Sequence, residues 1–115
     1  MEKVRAVRIM CDWCAEGVWS APSIPNSSMA GFRVSGALWQ RLQTWQEWYH
    51  QQPIDRALCE WGDFDIAAFV TEGRQIAQAI KRELPEWIVI YHDAERCDEA
   101  AIQRLPDSHY LWAIE

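Results

Sequence analysis

The strongest constraint on the fold is a stripe of apolar residues that recurs every three or four positions between residues 66 and 84. An α-helix has 3.6 residues per turn, so this spacing places the apolar side chains on one face of a helix. Asp63 or Asp65 is suited to cap its N-terminus, and Pro85 ends it. The stripe consists of Ile66, Phe69, Val70, Gly73, Ile76, Ala77, Ile80 and Leu84.

A second amphipathic helix is predicted for residues 35–51, where Ser35 is a suitable N-cap and Pro53 follows the end. Its apolar face consists of Leu38, Leu42, Trp45 and Tyr49. Gly73 lies on the apolar stripe of the longer helix, where glycine costs about 1 kcal/mol relative to alanine. We therefore expect the helix at residues 35–51, or a tryptophan ring, to approach the backbone closely at Gly73.

Three segments have the composition of β-strands, namely residues 4–11, 87–92 and 109–114. Residues 15–34 are rich in glycine, proline and serine and are expected to form a long connection. A short helix is expected at residues 99–105. The pattern predicts an α+β fold, with a small sheet of three or more strands and two amphipathic helices packed on one face.

The size of the chain fits one domain spanning residues 1–115. A domain of this length buries roughly 65% of the surface of its unfolded chain, enough for a core without disulfides or a metal. Half of the residues are apolar and 24% are charged, which is typical of a globular protein. We expect no cofactor.

The N-terminal residues alternate charged and apolar side chains and lack the apolar core of a secretory signal. No apolar run approaches the ~20 residues that would span a bilayer. The expected location is cytoplasmic, where the four cysteines would be reduced.

Cys11 and Cys14 form the sharpest chemical motif, because a Cys-x-x-Cys pair can be a redox centre when it begins a helix. No helical periodicity follows it, and Cys59 and Cys97 do not form the second pair of a zinc site. Four reduced cysteines acting as small apolar residues are the preferred interpretation. A thiol-redox enzyme remains an alternative.

His92 and His109 stand at the ends of predicted strands and could be neighbours, as in some ribonuclease sites. The net charge of −6 argues against this, because an acidic chain repels phosphate backbones. The sequence contains no nucleophile elbow, P-loop or dinucleotide fingerprint. We therefore expect a binding protein, not an enzyme, with neither nucleic acid nor membrane as its partner.

Carboxylates interleaved with tryptophans are the best candidates for a partner-binding site. Exposed aromatic rings among acidic groups suit a basic protein surface, because the rings anchor the contact and the carboxylates pair with cations. The first group follows the helix at residues 35–51 and consists of Glu60, Trp61, Asp63 and Asp65. The second follows the first strand and consists of Asp12, Trp13 and Trp19.

The chain resembles a family of bacterial immunity proteins from contact-dependent growth inhibition and related polymorphic toxin systems. The resemblance runs from about Val4 to Tyr91 and is carried mainly by core positions. Its residues are Met10-Cys11-Asp12-Trp13, Trp19, Leu38, Leu42, Trp45, Tyr49, Phe69-x-x-Glu72-Gly73-Arg74, Ile76, Ala77, Leu84 and Trp87-x-Val89-x-Tyr91.

This resemblance implies an antitoxin without cofactor that binds and neutralises a cognate toxin C-terminal domain. A nuclease such as an RNase or tRNase is the expected target, covered at its basic active-site cleft. The segment between the helices is shorter than in the family, and residues 93–115 look like an addition. A regulatory subunit of another complex is the remaining alternative.

Overall fold

A computed structural model describes residues 3–10, 17–21, 24–52, 65–93 and 111–114. Both amphipathic helices are confirmed, as α1 (Gly36–His50) and α2 (Ile66–Glu83). Each begins at a side-chain cap, because Ser35 Oγ accepts the amide N–H of Leu38 and Asp65 Oδ1 accepts that of Ala68, 3.0 Å away. Within these residues, neither helix is long and apolar enough to cross a membrane.

The three predicted strands are also present, slightly shorter than their sequence patterns. They are β1 (Val4–Ile9), β4 (Ile88–His92) and β5 (Leu111–Ala113). Two further strands, β2 (Val18–Trp19) and β3 (Ser27–Ser28), complete the set. The sheet is mixed, in the order β2-β1-β4-β5. β1 and β4 are parallel, β2 and β5 are antiparallel to their neighbours, and β3 pairs in parallel with the start of β1.

Strands β2 and β3 lie in the segment that the sequence analysis treated as a connection, so that interpretation was incomplete. Each strand has two residues, too few for an alternating pattern to be visible. Backbone contacts with β1 hold them in place. The N–H of Val4 donates to the carbonyl of Asn26 at 2.9 Å, and that of Met10 donates to the carbonyl of Gly17 at 3.1 Å.

The core lies between the two helices and one face of the sheet. Phe69 stacks on the indole of Trp45, with ring centroids 5.0 Å apart. Neighbouring strand residues alternate between the two faces of a sheet, so this face is formed by every second residue of β1 and β4. It contributes Val7, Ile9, Val89 and Tyr91, which pack against Leu38, Leu42, Trp45, Phe69, Ile76, Ala77 and Ile80.

Gly73 is a point of close approach between the helices and the sheet, as the sequence predicted. A Cβ atom at this position would lie 2.7 Å from the Tyr91 hydroxyl oxygen and 2.9 Å from Cε2 of Trp45. The tryptophan expected to approach Gly73 is therefore Trp45 of α1, and Tyr91 of β4 approaches it as well. Only a residue without a side chain allows this contact.

The opposite face of the sheet has a smaller apolar cluster, and among the described residues no helix covers it. Ala6 and Ile90 are buried there against Ala21, which follows β2. Ile24, Ile88 and Leu111 pack around them and are partly buried. The two helices are thus both on one side of the sheet, as predicted.

Candidate functional site

Both helices and the two neighbouring strands β1 and β4 each have one end at the same end of the molecule. The carboxyl ends of β1 and β4 lie side by side, because the strands are parallel and Ile9 pairs with Tyr91. A turn of four residues connects α2 to β4, so the helix runs back along the sheet. The Tyr91 hydroxyl donates to the carbonyl of Val70, 3.3 Å away, which places the first turns of α2 at this end.

Helix α1 lies antiparallel to α2 and ends at the same place. Its Trp45 Nε1 donates to the carbonyl of Phe69 at 2.9 Å, while Ser35, at the other end of α1, donates to Glu83. Trp48, in the last turns of α1, packs edge-on against Phe69 with centroids 5.5 Å apart. We call this end of the molecule the carboxyl end, after the strands.

The described residues on both sides of three undescribed stretches lie at the carboxyl end. Residues 11–16 follow β1, residues 53–64 join α1 to α2, and residues 94–110 join β4 to β5. All three sequences contain more acidic than basic side chains. The described residues include eight basic and six acidic side chains, so the net charge of −6 comes from the rest of the sequence.

Of the seven residues predicted to bind a partner, the structure describes two. The positions of Asp12, Trp13, Glu60, Trp61 and Asp63 lie outside the described residues. Trp19 is in β2 and Asp65 caps α2. The sheet separates these two, because Asp65 belongs to the helical layer and Trp19 lies on the opposite face.

Asp65 is exposed and has a structural task of its own. Its carboxylate accepts the N–H of Ala68, which would otherwise have no partner in the first turn of α2. A negative charge at this position also complements the positive end of the helix dipole. One carboxylate oxygen is engaged by the helix, and the side chain stays accessible to a partner.

Trp19 is half-buried and held in a fixed orientation. Its indole N–H donates to the carbonyl of Met10, 3.1 Å away. The guanidinium carbon of Arg8 lies 6.0 Å from the ring centroid, within reach of a cation–π contact. Part of this tryptophan thus supports the strand pairing, and part of it is exposed.

Two residues at this site were missed by the sequence analysis. Trp48 lies outside the apolar face predicted for its helix, and its position at the site depends on how the two helices pair. Arg8 lies between Val7 and Ile9, and the alternation of strand residues could have placed it on the opposite face from them. Neither residue belongs to a recognisable motif.

Most residues of the alternative chemistries lie outside the described residues. These are all four cysteines and His109, and the helix expected at residues 99–105 lies outside them as well. Across the described part of the chain, no group of three histidine, cysteine or acidic residues could hold a metal ion. The thiol-redox interpretation stays a hypothesis.

Fold and site together define a small α+β protein with a mixed sheet, in which acid-rich stretches of sequence begin and end at one end of the described framework. The family model described as Serratia CdiI immunity protein-like matches residues 5–94, and the chain belongs to this family. The range agrees with the resemblance noted between Val4 and Tyr91. No curated protein and no solved structure matches the chain.

Membership of this family implies an immunity protein that binds a toxin of contact-dependent growth inhibition. The family suggests a non-enzymatic inhibitor. The matched range contains β1 to β4 and both helices and ends at residue 94. It therefore includes the two predicted partner-binding groups.

Proposed function

We propose that this immunity protein neutralises a nuclease toxin by covering the basic active-site cleft with its carboxyl end. The observation that carries the proposal is that three acid-rich stretches of sequence begin and end at one end of a framework that has slightly more basic than acidic side chains. The residues proposed to contact the toxin are Asp12, Trp13, Trp19, Glu60, Trp61, Asp63 and Asp65.

Electrostatics supports a nuclease as the target. An enzyme that cleaves nucleic acid needs cationic side chains around its phosphate-binding cleft. Carboxylates on an inhibitor can pair with these cations and so exclude the substrate. Tryptophan side chains are enriched among the residues that contribute most to binding energy, because they bury a large rigid surface. Trp48, half-buried at the same end, is a further candidate anchor.

The test is a charge reversal at the carboxyl end. We expect the double variant Glu60→Lys/Asp63→Lys to weaken binding of the toxin C-terminal domain by about 100-fold or more, because each disrupted charge pair at an interface costs 2–5 kcal/mol. Calorimetry gives the affinity, and cleavage of a labelled RNA or DNA by the toxin gives the inhibition.

The matched control is Glu83→Lys/Glu86→Lys, which changes the total charge by the same amount at the opposite end of the molecule. Both residues are exposed there, and the contacts that they lose, with Ser35 and Arg5, lie at that end too, so thermal unfolding of each variant is measured beside its affinity. We expect this control to change affinity by no more than about threefold, because exposed charges beyond a Debye length are screened. Equal losses in the two variants, or no loss in the first, would contradict the proposed surface.

The thiol-redox alternative is tested separately. The variant Cys11→Ser/Cys14→Ser keeps the size of both side chains and removes the thiol chemistry. If the protein acts by binding alone, we expect this variant to protect cells that receive the toxin. Loss of protection with normal folding and normal toxin affinity would point to thiol chemistry instead.

A further inference from the structure

Arg8 is a cation in the middle of the sheet, on the face that carries no helix among the described residues. It pairs with Trp19 of β2 on one side and with Ile90 of β4 on the other. Its neighbours along the strand, Val7 and Ile9, point into the core between sheet and helices. The guanidinium is therefore set among apolar and aromatic groups.

The guanidinium has no ionic partner in the described part of the protein. Its Nε atom is buried and has no hydrogen-bond partner. The guanidinium carbon lies 6.0 Å from the ring centroid of Trp19. Two other arginines differ from Arg8, since Arg5 pairs with Glu86 and Arg41 with Glu72. A cation that is partly removed from water without a counter-charge costs free energy in the unbound protein.

Arg8 and Trp19 are also accessible, because each is only half-buried. The indole is fixed by its hydrogen bond to the Met10 carbonyl, so little side-chain freedom is lost when a partner contacts it. Ala113, paired with Ile90 in the same row across the sheet, is exposed. Arginine and tryptophan are the residue types most often found at the energetic centre of protein interfaces.

We infer that Arg8 and Trp19 form a receptor for a carboxylate side chain of the bound toxin. A planar guanidinium matches a carboxylate with two parallel hydrogen bonds, and the apolar neighbours keep that pair out of water. A protein carboxylate is favoured over a nucleic-acid phosphate, because the chain carries a net charge of −6. The identification of the partner rests on the proposed function. In this contact the immunity protein supplies the cation and the toxin the anion, the reverse of the contacts proposed for the acidic surface.

This arrangement predicts opposite effects on affinity and stability. Arg8→Met keeps the unbranched apolar stem and removes the unpaired charge. We expect the free protein to keep or raise its melting temperature, while its affinity for the toxin C-terminal domain falls by about tenfold or more. Arg8→Lys keeps the charge but loses the planar fork, so we expect a loss of affinity here also.

The control variant is Arg33→Met, which removes an exposed arginine just before α1, away from the carboxyl end. Calorimetry with the purified toxin domain gives the affinity, and thermal unfolding of each free variant gives the stability. We expect the control to bind within about twofold of the original protein.

Two outcomes would overturn the inference. In the first, Arg8→Met binds like the original protein. In the second, it loses affinity together with several degrees of melting temperature, which would assign Arg8 a structural role. Binding of a short oligonucleotide to the original protein, abolished in Arg8→Met, would assign the site to a phosphate instead.

The failure of this inference is distinguishable from failure of the proposed function. If Glu60→Lys/Asp63→Lys weakens binding and Arg8→Met does not, only the carboxylate receptor is wrong. If Arg8→Met weakens binding and the charge reversal does not, the acidic surface is wrong and the receptor stands.

Discussion

At the scale of single residues, the packing between helices and sheet depends on Gly73. Two buried side chains meet there, and both donate hydrogen bonds to carbonyls in the first half of α2. Trp45 donates to Phe69 and Tyr91 donates to Val70. Each bond satisfies a polar group that would otherwise be buried without a partner. The glycine thus makes room for the contacts that fix α1 and β4 to α2.

We expect Gly73→Ala to destabilise the protein by about 1–3 kcal/mol, because a methyl group overpacks this contact. The gain of about 1 kcal/mol in helix propensity is smaller than the cost of displacing Trp45 and Tyr91. Urea unfolding followed by circular dichroism measures the change. Gly36→Ala is the control, since its Cβ would meet nothing within 4 Å, and we expect it to stay within about 0.5 kcal/mol of the original protein.

At the scale of elements, α2 combines a fold-defining helix with a residue of the proposed interface. Asp65 caps the helix and lies at the carboxyl end. Its two tasks use different properties of one side chain. Capping needs an acceptor oxygen, whereas pairing with a toxin cation needs a negative charge.

Substitutions at Asp65 can therefore separate the two tasks. Asp65→Asn keeps an acceptor oxygen, so we expect little change in stability and a clear loss of toxin affinity. Asp65→Ala removes both, and we expect it to lose a similar affinity and also about 1 kcal/mol of stability. Chemical denaturation and calorimetry on both variants give the comparison. An asparagine variant that binds as tightly as the original would remove Asp65 from the interface.

The elements also show what the sequence predicts well and what it does not. Both helices and their caps could be predicted, because an apolar stripe repeats over four or five turns and Ser35 and Asp65 stand at the correct positions. Strands β2 and β3 could not, because two residues contain no period. Their conformation depends on pairing with β1, which is a tertiary contact.

At the scale of the whole molecule, the excess of acidic side chains lies outside the described helices and strands. The described helices and strands contain slightly more basic than acidic side chains, while the acidic surplus belongs to segments that begin and end at the carboxyl end. The sequence showed the acidic groups but not that the segments carrying them begin and end at the same end of the molecule. That placement depends on the parallel pairing of β1 with β4 and the antiparallel packing of the helices, both of them long-range.

This separation predicts a strong effect of salt on association. We expect the association rate with the toxin domain to fall by about tenfold or more between 10 mM and 300 mM NaCl, because screening shortens the range of electrostatic steering. The dissociation rate should change much less. Stopped-flow mixing followed by tryptophan fluorescence measures both. An association rate independent of salt would mean that the acidic segments do not face the toxin during encounter.

The parallel pairing of β1 with β4 also bears on how such a protein can change over generations. Residues 11–16, 53–64 and 94–110 are inserted between elements whose ends already lie at one end of the molecule. Mutations in these segments leave the contacts of Gly73, Trp45 and Tyr91 intact. A lineage can therefore follow a diverging toxin by drift and selection in the connecting segments, while framework positions outside the proposed interface stay under purifying selection for stability.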